Sequence, residues 1–100
     1  MKLTPTAAPT SHAPTLRIDK YLWYTRLAKT RSAAQAMAER GIMRVNGRRV
    51  ERAHSAVRVG DLITLAQNDI IRVVRILDLP ARRGTATEAH ACYEELELGS

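Results

Sequence analysis

Cations are concentrated in one stretch of the chain, where they could bind a phosphate-rich partner. Residues 17–49 contain nine Lys or Arg against two acids, a net charge of +7. Residues 50–100 contain six Arg against eight acids, a net charge of −2, although the whole chain carries a formal net charge of +6. Because a merely soluble surface usually mixes both signs, this segregation indicates that residues 17–49 meet an anion.

The types of these side chains point to nucleic acid. Seven of the nine cations are Arg, whose planar guanidinium suits phosphate and can stack on bases. At Thr30-Arg31-Ser32 a helix start would add free backbone N–H groups and a hydroxyl, which together make a phosphate site. The alternative is an ordinary solvated basic helix face. The candidate binding residues are Arg17, Lys20, Arg26, Lys29, Thr30, Arg31, Arg44, Asn46, Arg48 and Arg49.

Two helices are predicted to carry the first of these residues, over residues 17–28 and 31–40. The first helix places apolar side chains four residues apart, and the second is rich in alanine. Thr30 has the position of an N-cap, and Gly41 has that of a left-handed C-cap.

Three aromatic side chains in the first helix could either stack on bases or fill the core. Trp23 is assigned to the core, because large apolar rings at helical spacing are more often buried than bound to a ligand. Tyr21 or Tyr24 is then the better candidate for stacking.

A hairpin and further strands follow the helices. Asn46-Gly47 predicts a two-residue hairpin turn, because both positions tolerate positive φ. Strands are predicted over residues 62–65 and 70–79, with Gly60-Asp61 as a turn and Pro80 as the end of the last strand.

A last helix is predicted over residues 86–97. Thr85 and Glu88 have the spacing of a capping box. Cys92 falls on the apolar stripe and is assigned to the core, while the opposite face is acidic.

The predicted fold class is α+β, with two N-terminal helices packed on a small, mostly antiparallel sheet that includes a basic hairpin, plus a C-terminal helix. We expect a disordered tail over residues 1–15, a binding domain over residues 16–80, and a C-terminal loop and helix over residues 81–100.

Several kinds of chemistry lack the residues they need. A single cysteine allows no internal disulfide and fits a reducing compartment, the cytoplasm. No run approaches the roughly 20 apolar residues that cross a bilayer. Neither a set of metal ligands at workable spacing nor a Gly-rich phosphate loop is found in the sequence. We therefore expect a monomer that is not an enzyme, needs no cofactor or metal, and binds no membrane.

Three segments resemble the S4-type RNA-binding domain, which contains the alpha-L motif. They are RIDKYLWYTRLAKTRSAAQAM (17–37), GIMRVNGRRV (41–50) and VRVGDLI (57–63). A fourth, RRGTATEAHACYEEL (82–96), resembles the C-terminal signature of the fifteen-kilodalton heat-shock protein family, a stress-response branch of stand-alone S4-type domains.

The resemblance implies binding to rRNA of the large ribosomal subunit, including subunits that carry peptidyl-tRNA, and a role in rescuing or recycling stalled subunits. The positions that match the family's pattern are Arg17, Asp19, Lys20, Arg26, Thr30, Arg31, Asn46 and Gly47. Of these, Asp19 and Gly47 are expected to be structural. Arg44, Arg48 and Arg49 are added from charge and hairpin geometry alone.

Two alternatives remain open from the sequence. The chain could be a general RNA- or DNA-binding module without a ribosomal target. It could also be a protein-interaction module that acts through the acidic C-terminal helix.

Overall fold

The computed structural model describes residues 13–67 and 69–97, so most of the predicted tail lies outside the described residues. The helices are α1 (Ile18–Tyr24), α2 (Arg31–Glu39) and α3 (Ala86–His90). The strands are β1 (Leu16–Arg17), β2 (Met43–Val45), β3 (Arg48–Arg49), β4 (Ala56–Val57), β5 (Leu62–Gln67), β6 (Ile70–Ile76) and β7 (Tyr93–Leu96).

The first helix is shorter than predicted at both ends. At its start, Leu16 and Arg17 pair with β4 as a short antiparallel ladder, so α1 begins only at Ile18. At its end, the Thr25 hydroxyl donates to the Tyr21 carbonyl at 2.7 Å, and Arg26 takes a φ of 64° that no helix continues. The chain therefore turns out of α1 about one helical turn early.

The second helix confirms both predicted caps. The Thr30 Oγ1 accepts a hydrogen bond from the Ala33 N–H at 3.0 Å, as an N-cap does. Gly41 has a φ of 72° directly after the helix, the left-handed conformation that glycine adopts without steric cost. The helix buries Ala34 and Ala38 completely.

The two N-terminal helices cover one face of an antiparallel sheet with the strand order β3-β2-β5-β6-β7. The sheet contributes Met43, Ile63, Leu65, Val74 and Ile76 to the core, all fully buried. These side chains alternate with outward ones along each strand, as a sheet with one buried face requires. The predicted α+β fold class is confirmed.

The prediction of one helix over residues 86–97 is wrong. The capping box of Thr85 and Glu88 is present, but α3 ends at His90, and the chain then forms β7 against β6. Main-chain pairing along the free edge of β6 replaces the last part of the predicted helix, and Arg side chains of β6 pair across the strands with acids that the helix would have exposed.

Those acids are Glu95 and Glu94. Arg72 pairs with Glu95 at 2.7 Å, and Arg75 pairs with Glu94 at 3.3 Å. Hydrogen bonds from Arg72 hold the pKa of Glu95 below its usual range. The predicted acidic helix face is therefore absent, and with it the basis for a protein-interaction module built on that helix.

The predictions for the aromatic side chains are confirmed for Trp23 and wrong for Tyr21. Trp23 is half-buried and packs against the core cluster, as predicted. Tyr21 is fully buried, which contradicts its role as a candidate for stacking on bases. Its hydroxyl donates to the Cys92 carbonyl at 2.8 Å, across 71 positions of sequence. Cys92 is itself buried, which confirms its assignment to the core.

The bond from Tyr21 to Cys92 gives a test of how firmly the C-terminal segment is attached. Tyr21→Phe should lower the free energy of unfolding by about 1 kcal/mol, the usual net value of one hydrogen bond. The loss stays this small because the Cys92 carbonyl also accepts from the Leu77 and Asp78 N–H groups.

Urea unfolding measures this difference, and Tyr24→Phe is the matched control. Tyr24 is half-buried, and its hydroxyl bonds to none of the described residues. Equal stability of the Tyr21→Phe variant and the parent would show that the bond contributes nothing.

Candidate nucleic-acid interface

A buried carboxylate organises the basic surface. Asp19 is fully buried, and it accepts two hydrogen bonds from Arg17, from Nε at 3.0 Å and from Nη2 at 2.8 Å. Its Oδ1 also accepts from the Lys20 N–H at 2.8 Å, and its Oδ2 receives the Arg31 Nε at 3.4 Å and the Gln35 Nε2 at 3.5 Å. One side chain thus connects β1, α1 and α2, as its predicted structural role requires.

The surroundings of Asp19 keep it ionised. Burial opposes ionisation, but the hydrogen bonds from Arg17 and the Lys20 N–H, together with the charges of Arg17 and Arg31, outweigh it. The pKa of Asp19 therefore lies below its usual value.

The guanidinium groups that Asp19 holds still reach solvent. The side chains of Arg17 and Arg31 are 44% and 36% exposed. Because one carboxylate faces two guanidinium groups, the pairing leaves a net positive charge at the start of α2. Thr30, directly before Arg31, is exposed, and so is Lys29, while Lys20 is half-buried.

Arg26 is held by the C-terminal segment. Its Nε donates to the Gly84 carbonyl at 2.8 Å. Arg83, the residue before Gly84, binds the carbonyl of Trp23 at the end of α1 and, at 3.5 Å, the carbonyl of Ala28 in the loop that follows. Its guanidinium lies 5.6 Å from the centre of the Trp23 ring. A cation suits this place, because the last carbonyls of a helix carry partial negative charge.

Arg83 was not among the candidate residues predicted from the sequence. The only signal was the run Arg82-Arg83-Gly84 in a loop, and nothing within that run indicates which carbonyls it meets.

The basic hairpin forms around the predicted turn. Asn46 and Gly47 have φ values of 52° and 84°, which are those of the turn that a two-residue hairpin prefers. The Asn46 side chain also joins the hairpin to the Gly60-Asp61 turn: its Nδ2 donates to Asp61 at 3.0 Å, and its Oδ1 accepts from the Leu62 N–H at 2.9 Å. The Asn46 amide is therefore occupied in fixing the hairpin.

The hairpin arginines do not all lie together. In the β2–β3 register, Arg48 stands opposite Val45, and Arg49 stands opposite Arg44. Because opposed residues share a face and neighbours alternate, Arg48 lies on the core side of the sheet, and Arg44 and Arg49 lie on the other side. The Arg44 Nη1 reaches back to the Gly47 carbonyl at 3.4 Å.

Gly41 makes room for Arg49. A Cβ at this position would lie 2.6 Å from the Arg49 Nη2, closer than two such atoms can approach. The guanidinium of Arg49 thus packs over the turn that follows α2, which brings the hairpin next to the end of that helix.

Among residues 13–67 and 69–97, no group of three or more His, Cys, Asp or Glu could hold a metal ion. Of the helices that the structure describes, none is both long and apolar enough to cross a bilayer.

Known proteins share this arrangement of helices and hairpin. The S4 domain family model matches residues 16–63, which contain both helices, the hairpin and the Asp19 cluster. The heat shock protein 15 homolog of Haemophilus influenzae is 38% identical over 82 residues, covering 82% of this chain and 62% of that protein. The chain thus spans somewhat less than two thirds of that relative.

Two other relatives are covered more fully. The RQC P-site tRNA stabilizing factor of Listeria monocytogenes is 34% identical over 85 residues, covering 83% of this chain and 91% of that protein. A solved structure of heat shock protein 15 from Vibrio cholerae, described as trimeric, superimposes with a TM-score of 0.77 at 36% identity, covering 83% of both chains. The chain therefore belongs to the S4 domain family, with heat shock protein 15 proteins among its relatives.

Proposed function

We propose that this protein binds rRNA of the large ribosomal subunit and acts in the rescue or recycling of stalled subunits that carry nascent chain-tRNA. The names of two kinds of relative, heat shock protein 15 and RQC P-site tRNA stabilizing factor, support this proposal. It extends to a cytoplasmic protein that works by binding, without a catalysed step or a cofactor.

The observation that carries the proposal is the set of arginines ordered by Asp19. Holding Arg17 and Arg31 in fixed positions lowers the entropy that they would lose on binding phosphate. Since both side chains remain partly exposed, they can exchange water for phosphate oxygens without leaving Asp19. Phosphate contacts would supply most of the affinity, and the shape of the folded RNA would select the site.

The proposed contact residues are the ten identified from the sequence. Some would bind phosphate, and others would hold the surface in place. Arg17, Arg31, Arg48 and Arg49 have guanidinium groups that can meet phosphate directly, and Lys20, Lys29, Thr30 and Arg44 extend the same basic surface. Arg26 and Asn46 act mainly by holding that surface in shape, because their side chains are bound to Gly84 and to the Asp61 turn.

A general nucleic-acid binder is the competing function. Competition between large ribosomal subunits and duplex DNA at physiological salt separates the two. A ribosomal protein should stay on the subunits when DNA phosphate is in excess, whereas a general binder should redistribute to the DNA.

Substitution of the cations tests the proposed surface directly. Arg31→Ala and the double change Arg48→Ala/Arg49→Ala should each weaken sedimentation with large subunits, by about tenfold for each phosphate that the variant no longer binds, or about 1.4 kcal/mol. The slope of log affinity against log salt should fall by about one for each such phosphate.

Arg75→Ala is the control for that prediction. It also removes one Arg, but from β6, where the side chain pairs with Glu94. Parent-like binding by both the Arg31 and the Arg48/Arg49 variants, with their folds intact, would show that the basic surface lies elsewhere.

Neutralisation of Asp19 tests the centre of this surface. Asp19→Asn should lower the free energy of unfolding at pH 7 by about 1.5–3 kcal/mol, the usual contribution of a hydrogen bond to a charged group. Because the pKa of Asp19 is depressed in the folded protein, this contribution is complete above the unfolded value of about 3.9. It is lost as the pH falls through the lower, folded value.

Urea unfolding between pH 7 and pH 2 measures the effect. The parent and the Asp19→Asn variant should converge in stability at the acid end, while Glu39→Gln, on the exposed end of α2, should follow the parent throughout. A constant gap between parent and variant across the whole pH range would contradict the ionised state of Asp19.

A further inference from the structure

A groove lies beside the hairpin, between β2–β3 on one side and β4 with the loop before β5 on the other. Its volume is about 610 Å³, within the roughly 300–1,000 Å³ of small-ligand sites. It is a concave feature, whereas the Asp19 cluster and the start of α2 form an outer surface.

The lining of the groove combines an apolar floor with a cationic rim. Val50 is buried and Val45 is half-buried at the floor, and Arg48, Arg49 and Arg58 line the same space. A flat ring with a polar edge suits such a floor, and an attached phosphate suits the rim.

One acid also lines the groove, and its oxygens are already engaged. Asp61 accepts from the Asn46 Nδ2 and from the Arg58 backbone N–H, both at 3.0 Å. Arg48 and Arg58 thus line the groove with one carboxylate that is occupied in holding the turn, so these side chains give the lining a net positive charge. The guanidinium of Arg49, which contributes to the lining through the rest of the residue, packs over Gly41.

The groove adjoins the basic surface already described. Ala56, which is exposed and lines the groove, is the Cα partner of Arg17 in the β1–β4 ladder. A strand of RNA that meets the guanidinium of Arg17 thus passes next to the groove.

We infer that this groove takes a single unpaired nucleotide of the bound RNA, with the base against Val45 and Val50 and its phosphate at Arg48 and Arg58. The inference rests on the proposed function, because RNA is the assumed partner. Specific recognition of RNA mostly uses unpaired nucleotides, whose bases can be turned out of the stack and into a pocket. An acidic peptide would satisfy the rim but would leave the apolar floor without a partner.

The test compares two RNA hairpins bound to the full chain at physiological salt, one with a single bulged nucleotide and one with the same stem fully paired. The parent should prefer the bulged hairpin by about fivefold, measured by fluorescence anisotropy. Ala56→Leu, which fills the groove while keeping every charge, should bring that ratio to about one.

Ala66→Leu is the matched control, because Ala66 is also exposed but lies on β5, away from the groove. It should keep the preference of the parent. Arg48→Gln gives a second variant, which should weaken binding of the bulged hairpin more than that of the paired stem. A parent without preference, or a preference that survives in Ala56→Leu, would overturn the inference.

Two further outcomes separate the groove from the proposed function and from a peptide partner. If the parent sediments with large subunits but shows no preference for the bulge, the groove inference fails and the function stands. If the preference is present without sedimentation, the ribosomal target fails and the groove stands. Displacement of the bulged hairpin by a polyglutamate peptide, but not by a charge-matched paired stem, would assign the groove to an acidic protein and overturn the inference.

Discussion

The ionised carboxylate of Asp19 is the interaction on which the rest of the basic surface depends. It has no solvent contact, so its charge is tolerable only because donors from three elements surround it. The same donors are the side chains and amides that fix β1 and α1 relative to α2. A buried acid near the centre of a basic surface thus does two things at once: it connects α1 to α2, and it orders cations that would otherwise repel one another.

The C-terminal segment supports the far end of α1 in a different way. Arg26, just after α1, donates to a carbonyl of the loop before α3, and Arg83 of that loop donates to the last turn of α1. The Tyr21 hydroxyl donates across the core to the Cys92 carbonyl. These contacts join residues more than 50 positions apart, and β7 then completes the sheet on the edge of β6. The residues that follow the matched S4 segment therefore brace the helices that carry the cations.

The features that the sequence predicted correctly depend on residues that are close together in the chain. The Thr30 cap, the left-handed Gly41, the Asn46-Gly47 turn and the capping box of Thr85 each depend on a local rule, and each is present. The strand β7, the burial of Tyr21 and the role of Arg83 depend on partners that lie far away in the chain. Residues 91–97 fit a helical stripe equally well by periodicity, and only the open edge of β6 decides for a strand.

The distribution of charge in the sequence indicates where the basic surface lies, but not which of its cations lie close together. Nine cations in 33 positions look like one patch, yet the pleat of β2–β3 places Arg48 on one side and Arg44 with Arg49 on the other. Arg26 faces the C-terminal loop, and Arg17 and Arg31 share Asp19. A surface built in this way contains ordered cations at fixed separations, and a single flexible basic tail could not discriminate among folded RNAs in the same manner. Under the proposed function, selectivity for the shape of the RNA would follow from the backbone pairing that separates the cations, and affinity would follow from their number.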